Sequence, residues 1–243
     1  MALLAVDNLS KAFGGLLAVQ GLSFELQSGE ILGLIGPNGA GKTTAFNVIS
    51  GFYEPSSGDV RFKDVSIVGL KPHRICLRGL TRTFQIVQPF ANLTVLENVM
   101  VGAFARTDDA RVARRAAGEV LDFVGLGAFR DNPARGLTLA GRKRLEVAKA
   151  LATKPELLLL DEVMAGLNPR EVAEVVALLR RVRDEGTSIL VIEHVMHAIM
   201  RLCDRIVVIH HGQQIAEGRP EAIARDPHVV EAYLGEEYLL AAD

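Results

Sequence analysis

Gly36-Pro37-Asn38-Gly39-Ala40-Gly41-Lys42-Thr43-Thr44 is the stretch that decides the fold. It follows Ile31-Leu32-Gly33-Leu34-Ile35, an unbroken apolar run of the kind that forms a buried parallel strand. After it comes Ala45-Phe46-Asn47-Val48-Ile49, which has the spacing of a helix. Strand, glycine-rich turn and helix are the setting in which G-x-x-x-x-G-K-[ST] binds phosphate. Gly36, Gly39 and Gly41 give the backbone angles and close approach that phosphate oxygens need. Pro37, Asn38, Ala40 and Thr44 complete the loop, whose N–H groups converge at a helix N-terminus where negative charge is favoured. Lys42 is a point charge for the β- and γ-phosphates, and the Thr43 hydroxyl is suited to Mg²⁺. A glycine turn that bound nothing would leave the Lys-Thr pair without a reason. The loop reads as a nucleotide phosphate site.

Working outward, 243 residues allow one large or two small domains. Apolar runs alternating with helical stretches predict an α/β fold. A net charge of −2 gives no general attraction to nucleic acid or anionic membrane. No basic, apolar leader opens the chain, and no apolar run approaches the roughly 20 residues that span a bilayer. With two cysteines, Cys76 and Cys203, in apolar settings, the expectation is a cytosolic chain with two buried small hydrophobes.

Leu3–Val6 and Leu22–Leu26 predict strands near the N-terminus, joined through a turn at Phe13-Gly14-Gly15. Phe13 is either a base-stacking aromatic or a core residue under the turn, and Val19 could flank the same base. Thr81–Gln85 reads as a strand entering a loop. Thr94 and Glu97 form a capping box ahead of a helix, and a further helix is expected over residues 108–124 with arginines on its solvated face. A helical subdomain over about residues 86–135, inserted in the α/β core, follows from these signals.

Leu157-Leu158-Leu159-Leu160 ends in Asp161-Glu162, which places two carboxylates where parallel sheets put ligand chemistry. Asp161 suits Mg²⁺ opposite Thr43, and Glu162 suits the polarisation of an attacking water. The competing reading is two acids capping the next helix. A second apolar strand, Thr187–Ile192, ends in Glu193-His194, so His194 leaves the sheet at the same kind of edge. Taken alone, that histidine is more naturally structural. Ile206–Ala216 predicts a hairpin turning at His211-Gly212, and Asp226-Pro227 predicts the start of a short last helix.

In this order, the phosphate loop, Gln85, LTLAGRKRLEVAKAL, LLLLDE, AGLNP and His194 resemble the ATP-binding subunits of ABC transporters over nearly the whole chain. The phrases RTFQIVQPFANLTVLENVMVGA, LLLLDEVMAGLNP and VVEAYLGEEY are most similar to subunits that import branched-chain and other hydrophobic amino acids. The resemblance implies a single cassette over residues 1–243 with a helical tail from about 218. It implies Phe13 on adenine, and Gln85 sensing Mg²⁺ and coupling to the membrane partner. It further implies Asp161 in the metal-binding motif, Glu162 as base, Asn168 in a loop crossing between subunits, and His194 on the γ-phosphate. ATP and Mg²⁺ are the expected cofactors. Expected partners are permease subunits, a second ATP-binding subunit, identical or paralogous, in an ATP sandwich, and indirectly a periplasmic solute-binding protein, at the cytoplasmic membrane face.

The family's LSGGQ signature falls on Leu137-Thr138-Leu139-Ala140-Gly141, where Leu139 and Ala140 stand in place of two glycines. A positive φ at Ala140 would cost on the order of 1 kcal/mol, which predicts a weakened contact with the opposite subunit's ATP. Val163 and Asn168 are also unusual and remove no chemical group. An ATPase for lipopolysaccharide export shares the same engine. A small-molecule kinase would use Lys42 but not Gln85, the signature or His194. Translation and DNA-repair ABC proteins carry two cassettes or long coiled coils, and neither a repeat nor a heptad run is visible here.

Overall fold

The structure is a computed structural model that describes residues 2–83 and 89–240, with side chains through Tyr233. Its elements run β1 (Ala2–Phe13), β2 (Leu16–Gln27), β3 (Ile31–Ile35), α1 (Lys42–Ile49), β4 (Ser57–Phe62), β5 (Val65–Ser66), α2 (Pro72–Leu77) and β6 (Leu80–Arg82). Then follow α3 (Val95–Ala103), α4 (Ala110–Phe123), α5 (Leu139–Leu151), β7 (Leu157–Asp161), α6 (Pro169–Asp184) and β8 (Ser188–Ile192). The chain closes with α7 (Met196–Leu202), β9 (Arg205–His210), β10 (Gln213–Gly218), α8 (Pro220–Ile223) and α9 (Pro227–Leu240).

Two sheets organise these elements. The larger has the order β10-β9-β3-β8-β7-β6, parallel from β6 to β9 with β10 antiparallel at the edge. The smaller is antiparallel, in the order β2-β1-β4-β5. Every residue of β3, β7 and β8 is buried. Continuous apolar strands are required there because both faces are covered. The two-residue period then divides the core. Leu32, Leu34, Leu159, Leu190 and Ile192 pack towards the small sheet and α1. Ile31, Ile35, Leu158, Leu160, Ile189 and Val191 pack with the helices on the other face.

Register levels the strand ends. Leu34 pairs with Ile192, and Ile192 pairs with Asp161. The residues just beyond these positions, Gly36, Glu193 and Glu162, therefore leave the sheet at one edge.

Thr94 caps α3 with the reciprocal Glu97 bond expected of a capping box. Among the described residues 89–135, the helices α3 and α4 alternate with loops, and the one bridge is Thr94 to Pro133. The fold also departs from expectation in places. Ala140 is an ordinary residue in the first turn of α5 and is not among the described residues with positive φ. Thr138 caps that helix by accepting from the Gly141 N–H at 3.1 Å, so alanine and leucine are favourable where glycines stand in the signature, and the anticipated strain does not arise. Val19 is wholly buried, which makes it core and removes it from any base edge. Cys203 is buried, whereas Cys76 is only half-buried, its Sγ 3.5 Å from the Thr81 hydroxyl. The last helix, α9, is 14 residues long, not short. Gln85, with Ile86 and Val87, lies outside the described residues.

Candidate nucleotide site

Two glycines of the loop between β3 and α1, Gly36 and Gly41, leave no room for a side chain. A Cβ on Gly36 would sit 2.0 Å from the Ile209 carbonyl oxygen, and one on Gly41 would sit 2.3 Å from that of Ala18. Gly41 also has φ of 103°. Lys42 is buried, and its ammonium donates to the carbonyls of Gly36 at 2.5 Å and Pro37 at 2.7 Å. The loop's own backbone thus holds the charge beside the N-terminus of α1. An open cleft of about 430 Å³ lies over the loop, lined by Phe13, Leu16, Ala18, Asn38, Gly39, Ala40, Gly41, Lys42, Thr43, Thr44 and Glu162.

Phe13 ends β1 at the cleft mouth, 42% exposed, so it is surface and not core. Tyr53 meets its ring edge-on at 5.3 Å between centroids, and the Lys11 ammonium lies 5.1 Å from the Phe13 centroid. Tyr53 and Lys11 give the ring a fixed orientation, a support that carries no local sequence signal.

Asp161 ends β7, is 1% exposed and is not among the residues that line the cleft. Arg82 Nη2 donates to its Oδ2 at 2.7 Å, while Oδ1 has no hydrogen-bond partner. A buried carboxylate oxygen left open is what a metal or metal-bound water requires. Thr43 is exposed within the cleft. Mg²⁺ needs only one or two protein oxygens beside phosphates and waters, so these residues fit it.

Glu162 lies beyond the strand with a left-handed φ of 50°, so it does not extend the strand alternation. Three backbone ties hold this strap. The Glu162 N–H donates to the Ile192 carbonyl at 3.0 Å, and Lys143 of α5 donates to the Glu162 carbonyl at 2.7 Å. The Met164 N–H donates to Glu193 Oε1 at 2.6 Å. His194 is half-exposed, with Nδ1 3.8 Å from Glu162 Oε1. Asn168 caps α6 in a reciprocal box with Glu171. None of residues 137–141 lines the cleft of the same chain, and Leu139 is exposed.

Sequence reasoning missed Lys143 and Glu193. Burial lowers the Lys143 pKa, and burial also pushes Glu193 up from 4.5 to about 7, against the Met164 N–H and Lys143, which pull it down. A carboxyl with a raised pKa in the fold contributes full stability below its unfolded value and loses it as pH rises through the folded value. Between pH 4.5 and about 7 that loss is at most about 3 kcal/mol. Glu193→Gln keeps the Met164 bond and cannot ionise. Its stability relative to wild type should therefore climb across that window and stay level above it, in denaturant unfolding at a series of pH values. A flat difference would show that Glu193 titrates normally.

A phosphate loop on a parallel strand, sharing its cleft with a strap-held glutamate that follows a buried aspartate at the end of β7, defines a P-loop nucleoside triphosphatase. The sequence matches the ABC transporter family over residues 19–165. Residues 213–238 match the C-terminal segment of branched-chain amino acid ATP-binding cassette transporters. This chain belongs to the ABC transporter family of ATP-binding proteins, and it is an ATPase. The high-affinity branched-chain amino acid transport ATP-binding protein LivG of Salmonella typhimurium is 43% identical over 250 residues, covering 96% of this chain and 98% of its own. The lipopolysaccharide export system ATP-binding protein LptB of Escherichia coli is 35% identical, covering 99% of this chain and all of its own. Among solved structures, the ADP conformation of MJ1267, an ATP-binding cassette of an ABC transporter, superposes with a TM-score of 0.89 at 32% identity, covering 97% of this chain and 99% of that one.

Proposed function

We propose that this chain energises import of branched-chain or other hydrophobic amino acids, as the ATP-hydrolysing subunit of a transporter at the cytoplasmic membrane face. The observation that carries the chemistry is the single cleft in which the phosphate loop and Glu162 face each other. The solute class is supported by the similarity to LivG and by the match of residues 213–238. Lys42 and the loop N–H groups bind the phosphates, Phe13 stacks on the base, and Glu162 takes the proton of the attacking water. His194 and Gln85 complete the γ-phosphate environment. Thr43, Asp161 and Gln85 would hold Mg²⁺, which would supply positive charge to the phosphates.

The residues 137–141 stand away from their own cleft, which supports the reading that they complete the site of a second ATP-binding subunit, identical or paralogous. Residues 86–135 serve as a helical insert on one cassette spanning 1–243, with the tail from about 218. No helix among the described residues is long and apolar enough to cross a membrane. In this reading the translocation path is formed by permease subunits, fed by a periplasmic solute-binding protein.

Phe90 and Leu93 are exposed, and the Lys149 ammonium sits 5.4 Å from the Phe90 ring centroid. Such apolar surface suits a short cytoplasmic helix of the permease. Phe90→Ala should abolish co-purification with the permease pair and ATP-driven leucine uptake in proteoliposomes. Because the ring is exposed, the melting temperature of the isolated subunit should move by no more than about 2 °C. Unchanged assembly would move docking elsewhere. Robust uptake of another solute class, with no transport of leucine, isoleucine or valine, would overturn the solute reading.

A further inference from the structure

Arg82 stands at the end of β6, three residues before Gln85, and has no part in the phosphate chemistry described above. Its side chain is only 5% exposed. Burying a guanidinium is costly unless its arms are answered. Nη2 donates to Asp161 Oδ2 at 2.7 Å, and Nη1 donates to Asn47 Oδ1 at 2.6 Å and Ser50 Oγ at 3.2 Å. The guanidinium also lies 5.6 Å from the centroid of Phe46, a stacking that a lysine does not reproduce. One side chain therefore ties the carboxylate at the end of β7 to the last turn of α1, the helix that begins at Lys42. Rotation of the Asp161 carboxylate would break the 2.7 Å bond, and Oδ1 is the oxygen left without a hydrogen-bond partner. The neighbouring Thr83 hydroxyl lies 3.3 Å from the Asp161 N–H, which fixes the backbone as well.

We propose that Arg82 is a positioning residue for the divalent cation of the ATP site. It holds Asp161 through Oδ2 so that Oδ1 is kept for the cation or its water, and it balances the buried carboxylate when no cation is bound. Partners behind a metal-binding group set its orientation, and their loss typically weakens the metal far more than they weigh in the fold. This rests on the reading of Asp161 as metal-holding. A strut that merely joined β6, β7 and α1 would instead weaken all nucleotide binding alike.

The test uses Mn²⁺ as the probe, with free Mn²⁺ read by electron paramagnetic resonance in solutions of the full chain and ADP, and ADP affinity measured separately in EDTA. Arg82→Met should weaken Mn²⁺ binding about tenfold or more while changing metal-free ADP affinity less than about twofold. Arg82→Lys retains charge and one ion pair but loses the forked reach to Asn47, and should fall between. Equal Mn²⁺ affinity in Arg82→Met and wild type, or an equal loss of metal-free ADP binding, would overturn the proposal. Should Arg82→Met not fold, an unshifted Arg82→Lys overturns it. Asp161→Asn separates the two layers: if it too leaves Mn²⁺ binding unchanged, the metal reading of Asp161 falls. If only Asp161→Asn weakens binding, the role of Arg82 alone is lost.

Discussion

Glu162→Gln should retain ATP binding while steady-state hydrolysis drops by about two orders of magnitude or more, the usual cost of removing a general base. The amide keeps the shape and hydrogen-bonding reach of the carboxylate but cannot accept the proton of an attacking water. The structure makes this replacement a clean one. Glu162 holds a left-handed φ of 50°, a conformation that costs a non-glycine residue on the order of 1 kcal/mol. It persists because Ile192, Lys143 and, two residues on, Glu193 tie the strap through its backbone. None of these ties uses the Glu162 carboxylate, so the strap should survive the substitution. Phosphate release measured beside nucleotide affinity decides the matter, and near-normal turnover would end the role of Glu162 as base.

Gly41→Ala is the second large effect. The added methyl would meet the Ala18 carbonyl oxygen at 2.3 Å, from a backbone with φ of 103°. Neither partner is a flexible side-chain end, so either the β2 backbone or the loop must move. With strain of about 3 kcal/mol or more, ATP affinity should fall on the order of 100-fold. Gly39→Ala is the matched control. Its φ is 75°, but no atom lies within 4 Å of the added carbon. It bears backbone strain alone, and should lose only about tenfold in affinity. Titration with ATP, alongside circular dichroism to verify folding, distinguishes them. Equal losses would show that the contact with Ala18 is unimportant.

The features legible in the amino-acid order are local or periodic. Apolar runs at 31–35, 157–160 and 189–192 specify buried parallel strands, because only residues covered on both faces dispense with alternation. Thr94 with Glu97 announces a helix start three residues apart, and His211-Gly212 announces a hairpin, which the structure forms with φ of 47° and 79°. The phosphate loop carries its own chemistry in nine consecutive residues. These signals are complete within a turn or a strand.

What the tertiary structure alone decided are meetings between distant parts of the chain. Arg82 reaches Asp161 across 79 positions because β6 lies beside β7. Lys143 finds the Glu162 carbonyl because α5 packs under the strap, and Glu193 finds Met164 because β8 lies on the other side of β7. Val19 reads like a residue at a binding edge and is core, since burial depends on what the fold lays over it. Ala140 reads as a strained glycine replacement, yet the Thr138 cap makes its position helical, where alanine is the preferred residue. Sequence spacing encodes hydrogen bonds closed within a few residues and the face a side chain presents. Strand order is set by which apolar faces bury one another best over the whole molecule, and it is strand order that brings these charges together.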